Sequence, residues 1–242
     1  MKRLIDIFVS LTGILAGTPF LLFLMYLVYR QDQKSPFYIA PRMGKGGKLF
    51  KMVKLRSMFV NADKTGVDST SVDDARMTPL GKKMRKYKLD EFTQLFNVLI
   101  GDMSLVGPRP NVKKGGTDLY TDVENRILTV RPGITDFSSI IFSDEGDILL
   151  GKDDPDLSYN QLIRPWKSRL ALVYIDHQST LLDLQIIFYT VVAIISKHKS
   201  IRWISGMLKQ FNVDQEIIEI ANRDANLYPF PPPGTDEVVL RL

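Results

Sequence analysis

No cysteine occurs anywhere in the 242 residues, which excludes disulfides and thiolate-held metals. Histidine is almost as scarce, with only His177 and His198, so a zinc or iron centre built on imidazoles is not expected. Any metal here should be held by oxygen. An acidic excess is also missing: Lys+Arg number 32 against Asp+Glu 27, a formal net charge of +5. That balance favours anionic partners such as phosphates, acidic lipid surfaces or nucleic acid, and does not choose among them. The length suits one catalytic unit with an anchor or extension and is too short for two large domains. No internal repeat is visible.

What the chain does have is a long uncharged run. Residues 7–29 carry no charged side chain and are mostly Ile, Leu, Val, Phe, Met or Tyr, about as long as a bilayer-spanning helix needs. A cleaved signal peptide fits poorly, because Ala16-Gly17-Thr18 is followed by a second apolar block rather than a polar start. Thr18-Pro19 falls in the middle, where proline removes a backbone hydrogen bond and a kink is expected. Lys2 and Arg3 precede the run, and Arg30 and Lys34 follow it. The positive-inside bias would put both ends on the cytoplasmic side. A helix-break-helix hairpin dipping into one leaflet satisfies this and a straight span does not, although prolines are common in ordinary spans.

Residues 31–60 read as a short hairpin with a cationic polar face, turning at Gly44-Lys45-Gly46-Gly47. Residues 61–74 read as an exposed loop. Thr78-Pro79 begins a helix; Phe92, Leu95, Phe96 and Leu99 recur at helical spacing, and Gly101 is placed to end the element. Further on, a helix is expected over residues 118–128, a turn at Arg131-Pro132-Gly133 and a weak strand over residues 137–142. The carboxylates from Asp144 to Asp156 lack calcium-loop spacing and read as a solvated loop. Residues 184–196 are too short to span, so they form a core helix or one lying in the membrane interface. Residues 201–211 repeat that theme with Trp203, Arg202 and Lys209, and residues 228–234 form a proline-rich extended segment. This tail should pack on its own domain or on a second copy.

Chemistry concentrates between Arg85 and Pro110. Adjacent carboxylates on a helix point about 100° apart, so Asp90 and Glu91 could serve one phosphate site in different roles, one attacking phosphorus and one holding a cation. A carboxylate attacking a diphosphate needs relief from like-charge repulsion, which bound Mg²⁺ and the nearby Arg85, Lys86 and Lys88 would supply. An Asp-Glu pair by itself is more often a solvated helix face. Arg109 stands between Pro108 and Pro110 with Gly107 before them, a setting that fixes a guanidinium for bidentate phosphate contact or simply makes a turn. Arg131 repeats the pattern, with the plain turn the better reading.

Taken together, Lys88-Leu89-Asp90-Glu91, Gln94-Leu95-Phe96-Asn97-Val98-Leu99, the run from Gly101-Asp102-Met103-Ser104 through Pro108-Arg109-Pro110, and Val130-Arg131-Pro132-Gly133-Ile134-Thr135 resemble the monotopic polyprenyl-phosphate phosphoglycosyl transferases, the bacterial sugar transferase family. Leu49 to Met58, which includes Lys54 and Arg56, and Leu181-Leu182-Asp183-Leu184 look like further blocks of that family in the right order.

The resemblance implies an α/β, mainly α fold: a small membrane-associated catalytic domain with a short β-hairpin and an N-terminal re-entrant helix. It divides the chain into a membrane helix-break-helix over residues 1–30, a catalytic domain with interfacial helices over 31–200, and a C-terminal extension over 201–242. It implies a two-step transfer in which Asp90 attacks the β-phosphate of a UDP-sugar, UMP leaves, and undecaprenyl phosphate takes the phosphosugar from the enzyme. Glu91, with Asp90, would help bind Mg²⁺. Arg85 and Arg109, with Pro108 and Pro110 around the latter, would hold phosphate oxygens, with Lys54, Arg56 and Arg131 as further contacts. The step would open bacterial glycoconjugate assembly on the cytoplasmic face of the inner membrane.

Two departures stand out. The family breaks its helix at Ser-Pro, where this chain has Thr18-Pro19. After Pro-Gly-Ile-Thr the family usually continues Gly-Trp-Ala-Gln-Val, where this chain has Asp136-Phe137-Ser138-Ser139-Ile140, leaving sugar preference open. That loop and the C-terminal extension, a candidate homodimer element, motivate an alternative: a non-catalytic membrane-surface scaffold of a glycan assembly system. Nucleic acid is not an expected partner, because the stacking aromatics interleaved with basic residues that single-strand binders use are missing.

Overall fold

The computed structural model describes residues 1–62, 66–67 and 69–241. Part of the loop expected over residues 61–74 therefore lies outside the described residues. The chain is mainly helical, as expected. It begins with α1 (Lys2–Asp32), one continuous helix through Pro19 and about 46 Å long at 1.5 Å per residue. The Thr18 hydroxyl donates to the Ile14 carbonyl at 2.6 Å, one turn back from the proline, and no interruption separates two helices there.

α1 is buried along one stripe. Asp6, Ser10, Ile14, Leu21, Leu24 and Val28 recur at helical spacing and face the rest of the protein. Both ends are tied to the same polar body. Lys2 Nζ donates to Asp183 at 2.8 Å and Arg3 to the Val98 and Leu99 carbonyls, while Asp6 accepts from Ser104 Oγ and the Leu105 amide. At the other end, Asp32 takes both terminal nitrogens of Arg56 at 2.7 Å.

The hairpin appears as expected: β1 (Phe37–Met43) pairs antiparallel with β2 (Leu49–Leu55). Next come α2 (Pro79–Lys86), capped by the Thr78 side chain on the Gly81 amide, and α3 (Gln94–Ile100), which ends at left-handed Gly101. A second, two-stranded sheet was not anticipated: β3 (Ser104–Val106) runs parallel to β4 (Gly133–Thr135). Its backbones approach so closely that a Cβ on Gly133 would lie 2.1 Å from the Gly107 nitrogen. The helix expected over residues 118–128 is instead two 3-10 turns, Thr117–Leu119 and Glu124–Thr129. They are anchored by the buried Glu124, which takes Arg164 Nε at 3.1 Å and Ser168 Oγ at 2.6 Å.

The strand expected over residues 137–142 is a helix, α4 (Phe137–Ile141). Asp136 accepts from the Ser139 amide at 2.7 Å and Ser139 Oγ accepts from the Asp136 amide at 2.7 Å, a reciprocal capping box that overrides the strand preference of Phe and Ile. The acidic stretch is not a plain solvated loop either. It holds α5 (Glu145–Ile148) and α6 (Pro155–Leu162), with Asp154 capping α6, Glu145 paired with Lys167, and Asp144 facing Lys197 and Arg223.

α7 (Arg164–Asp176) runs through the centre of the core, with Trp166 and Tyr174 fully buried. α8 (Thr180–Ile195) follows, then α9 (Lys197–Gln210) and α10 (Gln215–Asn222). α9 crosses residue 200. Its Ile204, Met207 and Leu208, with Ile217, Ile218 and Ile220 of α10, join the same core as Phe137 and Trp166, so the extension is part of the main body. The proline-rich tail also packs on its own domain. Phe230 stacks on Trp166 with ring centroids 4.4 Å apart, and Arg169 donates to the Pro231 carbonyl at 2.9 Å.

One apolar surface is left uncovered. α1 exposes Leu4, Phe8, Leu11, Leu15 and Leu22; α8 exposes Leu181, Leu184, Phe188, Val191 and Ile195 at helical spacing. The Lys2–Asp183 pair brings the two helices together. Contiguous apolar area of this kind suits a membrane, and α1 is by length and composition capable of entering one.

Candidate active site

Asp90 and Glu91 do not sit on a regular helix. α2 stops at Tyr87, Lys88 takes the left-handed conformation with φ 53° and ψ 26°, and Leu89–Glu91 forms a separate 3-10 turn before α3. A side chain with a Cβ pays about 1 kcal/mol or more for that conformation. The break reorients the two carboxylates and presents them at the open end of the β1–β2 hairpin. Thr93 holds the turn there by donating to the Val53 carbonyl at 3.0 Å, and the Asn97 side chain both accepts from the Val53 amide and donates to the Lys51 carbonyl.

Glu91 is the clamped member of the pair. Arg109 grips it through both terminal nitrogens, one at 3.2 Å, and Lys54 of β2 donates to the same carboxylate at 3.2 Å. These cations hold the Glu91 carboxyl far below the ordinary carboxylate range despite its burial, and Glu91 in turn raises Arg109. Lys54 is pushed down by desolvation, which the charge of Glu91 opposes.

Asp90 is the opposite case. It is 4% exposed and accepts no hydrogen bond from any described residue. Desolvation pushes its carboxyl above the usual range, aided by Glu91 and opposed by Lys54, Arg85 and Arg109. Arg85, on the last turn of α2, adds its charge to the electrostatics of Asp90 and Lys54, and among the described residues it makes only a weak contact to the Met77 sulfur at 3.6 Å.

Arg109 is aimed by the β3–β4 sheet. Gly107 donates to the Thr135 carbonyl at 3.0 Å and Gly133 to the Pro108 carbonyl at 2.9 Å, so the Pro-Arg-Pro run leaves the sheet in one direction. Pro108, Arg109 and Pro110 line a shallow pocket together, and a cavity of about 30 Å³ behind Arg109 is bounded by Ser138, Tyr159 and Lys167.

Two expected contacts lie elsewhere. Arg56 is buried and fully engaged by Asp32 and the Ser35 carbonyl, so it anchors the end of α1 instead of a phosphate. Arg131 donates through Nε to the Gly101 carbonyl at 2.9 Å and closes the C-terminus of α3. The structure thus joins Asp90, Glu91, Arg85, Arg109 and Lys54, and leaves Arg56 and Arg131 in supporting roles. Lys167, Tyr159 and Asp136 were given no role beforehand. The packing of α4, α6 and α7 brings them near Arg109.

The donor set can be tested against Mg²⁺. Among the described residues no group of three or more His, Cys, Asp or Glu could enclose a metal. Two carboxylates are present, one unbonded and one with a lone pair to spare on Oε2. This fits a Mg²⁺ that keeps waters and shares substrate phosphate oxygens, and does not fit an all-protein cage.

Residues 1–197 match the model of a family described as bacterial sugar transferase. The chain belongs to the bacterial sugar transferase family. Among relatives of this sugar transferase, the exopolysaccharide production protein PSS of Rhizobium leguminosarum is 34% identical over 209 residues, covering 82% of this chain and 97% of that one. The undecaprenyl-phosphate glucose phosphotransferase of Komagataeibacter xylinus is 38% identical over 197 residues, covering 78% of this chain and 35% of its own. The UDP-glucose:undecaprenyl-phosphate glucose-1-phosphate transferase of Klebsiella pneumoniae is 35% identical over 193 residues, 78% of this chain and 39% of that one. Against a Bacillus subtilis relative the sugar transferase spans 62% of the partner's length.

Proposed function

We propose that this chain transfers a sugar-1-phosphate from a UDP-sugar to a polyprenyl phosphate, undecaprenyl phosphate in a bacterium, through a phosphosugar carried on Asp90. The observation that carries this reading is the contrast between the two neighbours: a buried Asp90 with a free, destabilised carboxylate beside a Glu91 locked by Arg109 and Lys54. A carboxylate made basic by desolvation and left without hydrogen bonds is a better nucleophile than an ordinary aspartate.

In the first step an Asp90 oxygen forms a bond to the β-phosphorus and the bond from that phosphorus to the bridging oxygen breaks. The electron pair leaves with UMP. In the second step an oxygen of the lipid phosphate attacks the same phosphorus and Asp90 departs as carboxylate. Arg109 and Arg85 place positive charge beside the transferring phosphoryl oxygens, and Lys54 holds Glu91 in register. Mg²⁺, held by Glu91 and Asp90 with substrate oxygens, would neutralise diphosphate charge.

The acceptor is a membrane lipid, and the apolar faces of α1 and α8 support a monotopic seat on the cytoplasmic face of the inner membrane. That both ends of the anchor lie on the same side of the membrane belongs to the same proposal, since Lys2 and Asp32 both contact the catalytic body. Relatives named for exopolysaccharide production support a role for this transfer in polysaccharide synthesis. The scaffold alternative gains nothing from the altered segment at 136–140, which folds as a capped helix.

Purified protein in detergent or nanodiscs, given Mg²⁺, undecaprenyl phosphate and a panel of UDP-sugars, should release UMP with one donor. Asp90→Asn should abolish release; full activity in that variant would overturn the nucleophile assignment.

A further inference from the structure

Five cationic side chains surround the Asp90–Glu91 turn, and four of them are accounted for. Arg109 and Lys54 bind Glu91, Arg85 faces Asp90, and Lys167 is paired with Glu145. Lys88 is not. Its ammonium reaches 51 positions along the chain to donate to one neutral acceptor, the Ser139 carbonyl at 3.2 Å, and meets no carboxylate directly. An ammonium has three donors, and Lys88 is exposed, so two remain available to an incoming anion. The charges that face it are Glu91, Arg109, Asp136 and Lys167, whereas those that dominate at Asp90 are Lys54, Glu91, Arg85 and Arg109. Lys88 therefore meets the α4 segment at Ser139, whereas Lys54 reaches Glu91 from β2. The left-handed backbone at Lys88 is what turns its side chain away from α2 and across to α4.

We propose that Lys88 is a substrate-binding residue for the leaving nucleotide: it turns from the Ser139 carbonyl to a phosphate oxygen of the UMP moiety. The inference rests on the transfer reaction proposed above. In-line displacement sends the leaving oxygen to the side of phosphorus opposite the attacking carboxylate. With Asp90 as the attacking group, a departing phosphate that emerges toward α4 meets the two open donors of Lys88, which take up the charge it gains.

The test uses the full-length protein and UMP as the probe. Lys88→Asn removes the charge while keeping a residue that accepts the left-handed conformation readily, so its Tm should equal or exceed that of the wild type. It should bind UMP about tenfold or more weakly and raise KM for the donor, while Lys88→Arg stays within about threefold of the wild type. In the wild type, UMP should shield Lys88 from reductive methylation read by peptide mass spectrometry, a measurement that needs no variant to fold. Wild-type UMP affinity in Lys88→Asn, or equal labelling with and without UMP, overturns the inference. If wild-type enzyme turns over a donor while either of those results is found, only the inference falls; if it releases UMP from no donor, the reaction itself is wrong.

Discussion

Asp90 and Glu91 are sequence neighbours with the same chemistry and opposite energetics. Burial without partners raises the Asp90 carboxyl, so its ionised form costs stability at neutral pH. Glu91 is held low by Arg109 and Lys54, so its ionised form adds stability that is present above its unfolded pKa and lost as pH falls through the folded one. Asp90→Asn should accordingly lose turnover and gain of the order of 1 kcal/mol in stability, whereas Glu91→Gln should lose both. Paired thermal melts at pH 7 check this, and a lower Tm for Asp90→Asn would contradict it. The pH profile follows the same sign. Attack requires ionised Asp90, so the acid limb of kcat/KM should fall at a higher pH than an ordinary aspartate with its pKa of 3.8 would give.

Elements aim these residues. The β3–β4 sheet has its two chains in near contact at Gly107 and Gly133, and a Cβ on Gly107 would lie 2.5 Å from the Arg131 carbonyl oxygen. Gly107→Ala must push the Pro-Arg-Pro run aside, and a displaced Arg109 should cost about 100-fold in kcat/KM, measurable in a variant that still shows a cooperative melt. At α4 the Asp136 carboxylate takes the Ser139 amide and the Ser138 and Ser139 hydroxyls. Asp136→Ala should cost about 1–2 kcal/mol by loss of the cap, read by denaturant unfolding. Such elements explain why some of the fold was legible in advance. Thr78-Pro79, the Gly-rich hairpin turn and Gly101 are local signals, and each marked its boundary correctly. The capping box at Asp136-Ser139 was also local, yet the apolar Phe137 to Phe142 stretch masked it. The left-handed Lys88 had no signal, since nothing in Tyr87-Lys88-Leu89 disfavours a continuing helix.

On the scale of the molecule, one apolar surface formed by α1 and α8 lies alongside a basic site. Leu184 and Phe188 are exposed on α8, so replacing both with Asp should leave the melt almost unchanged and weaken flotation with liposomes of bacterial phospholipid. Unaltered flotation would mean that α1 alone holds the lipid.

The sequence by itself determined the family, the anchor and the identity of the charged cluster, because these depend on composition and on short motifs whose residue order is their information. It did not determine which charges meet. Arg56 and Arg109 both stood among the expected phosphate contacts, and only the folded chain gives one to Asp32 and the other to Glu91. The same holds for Asp90. Its free and buried carboxylate arises from β2, α2 and the Pro-Arg-Pro run closing around a turn, and electrostatics at that range depends on distances that no single segment encodes.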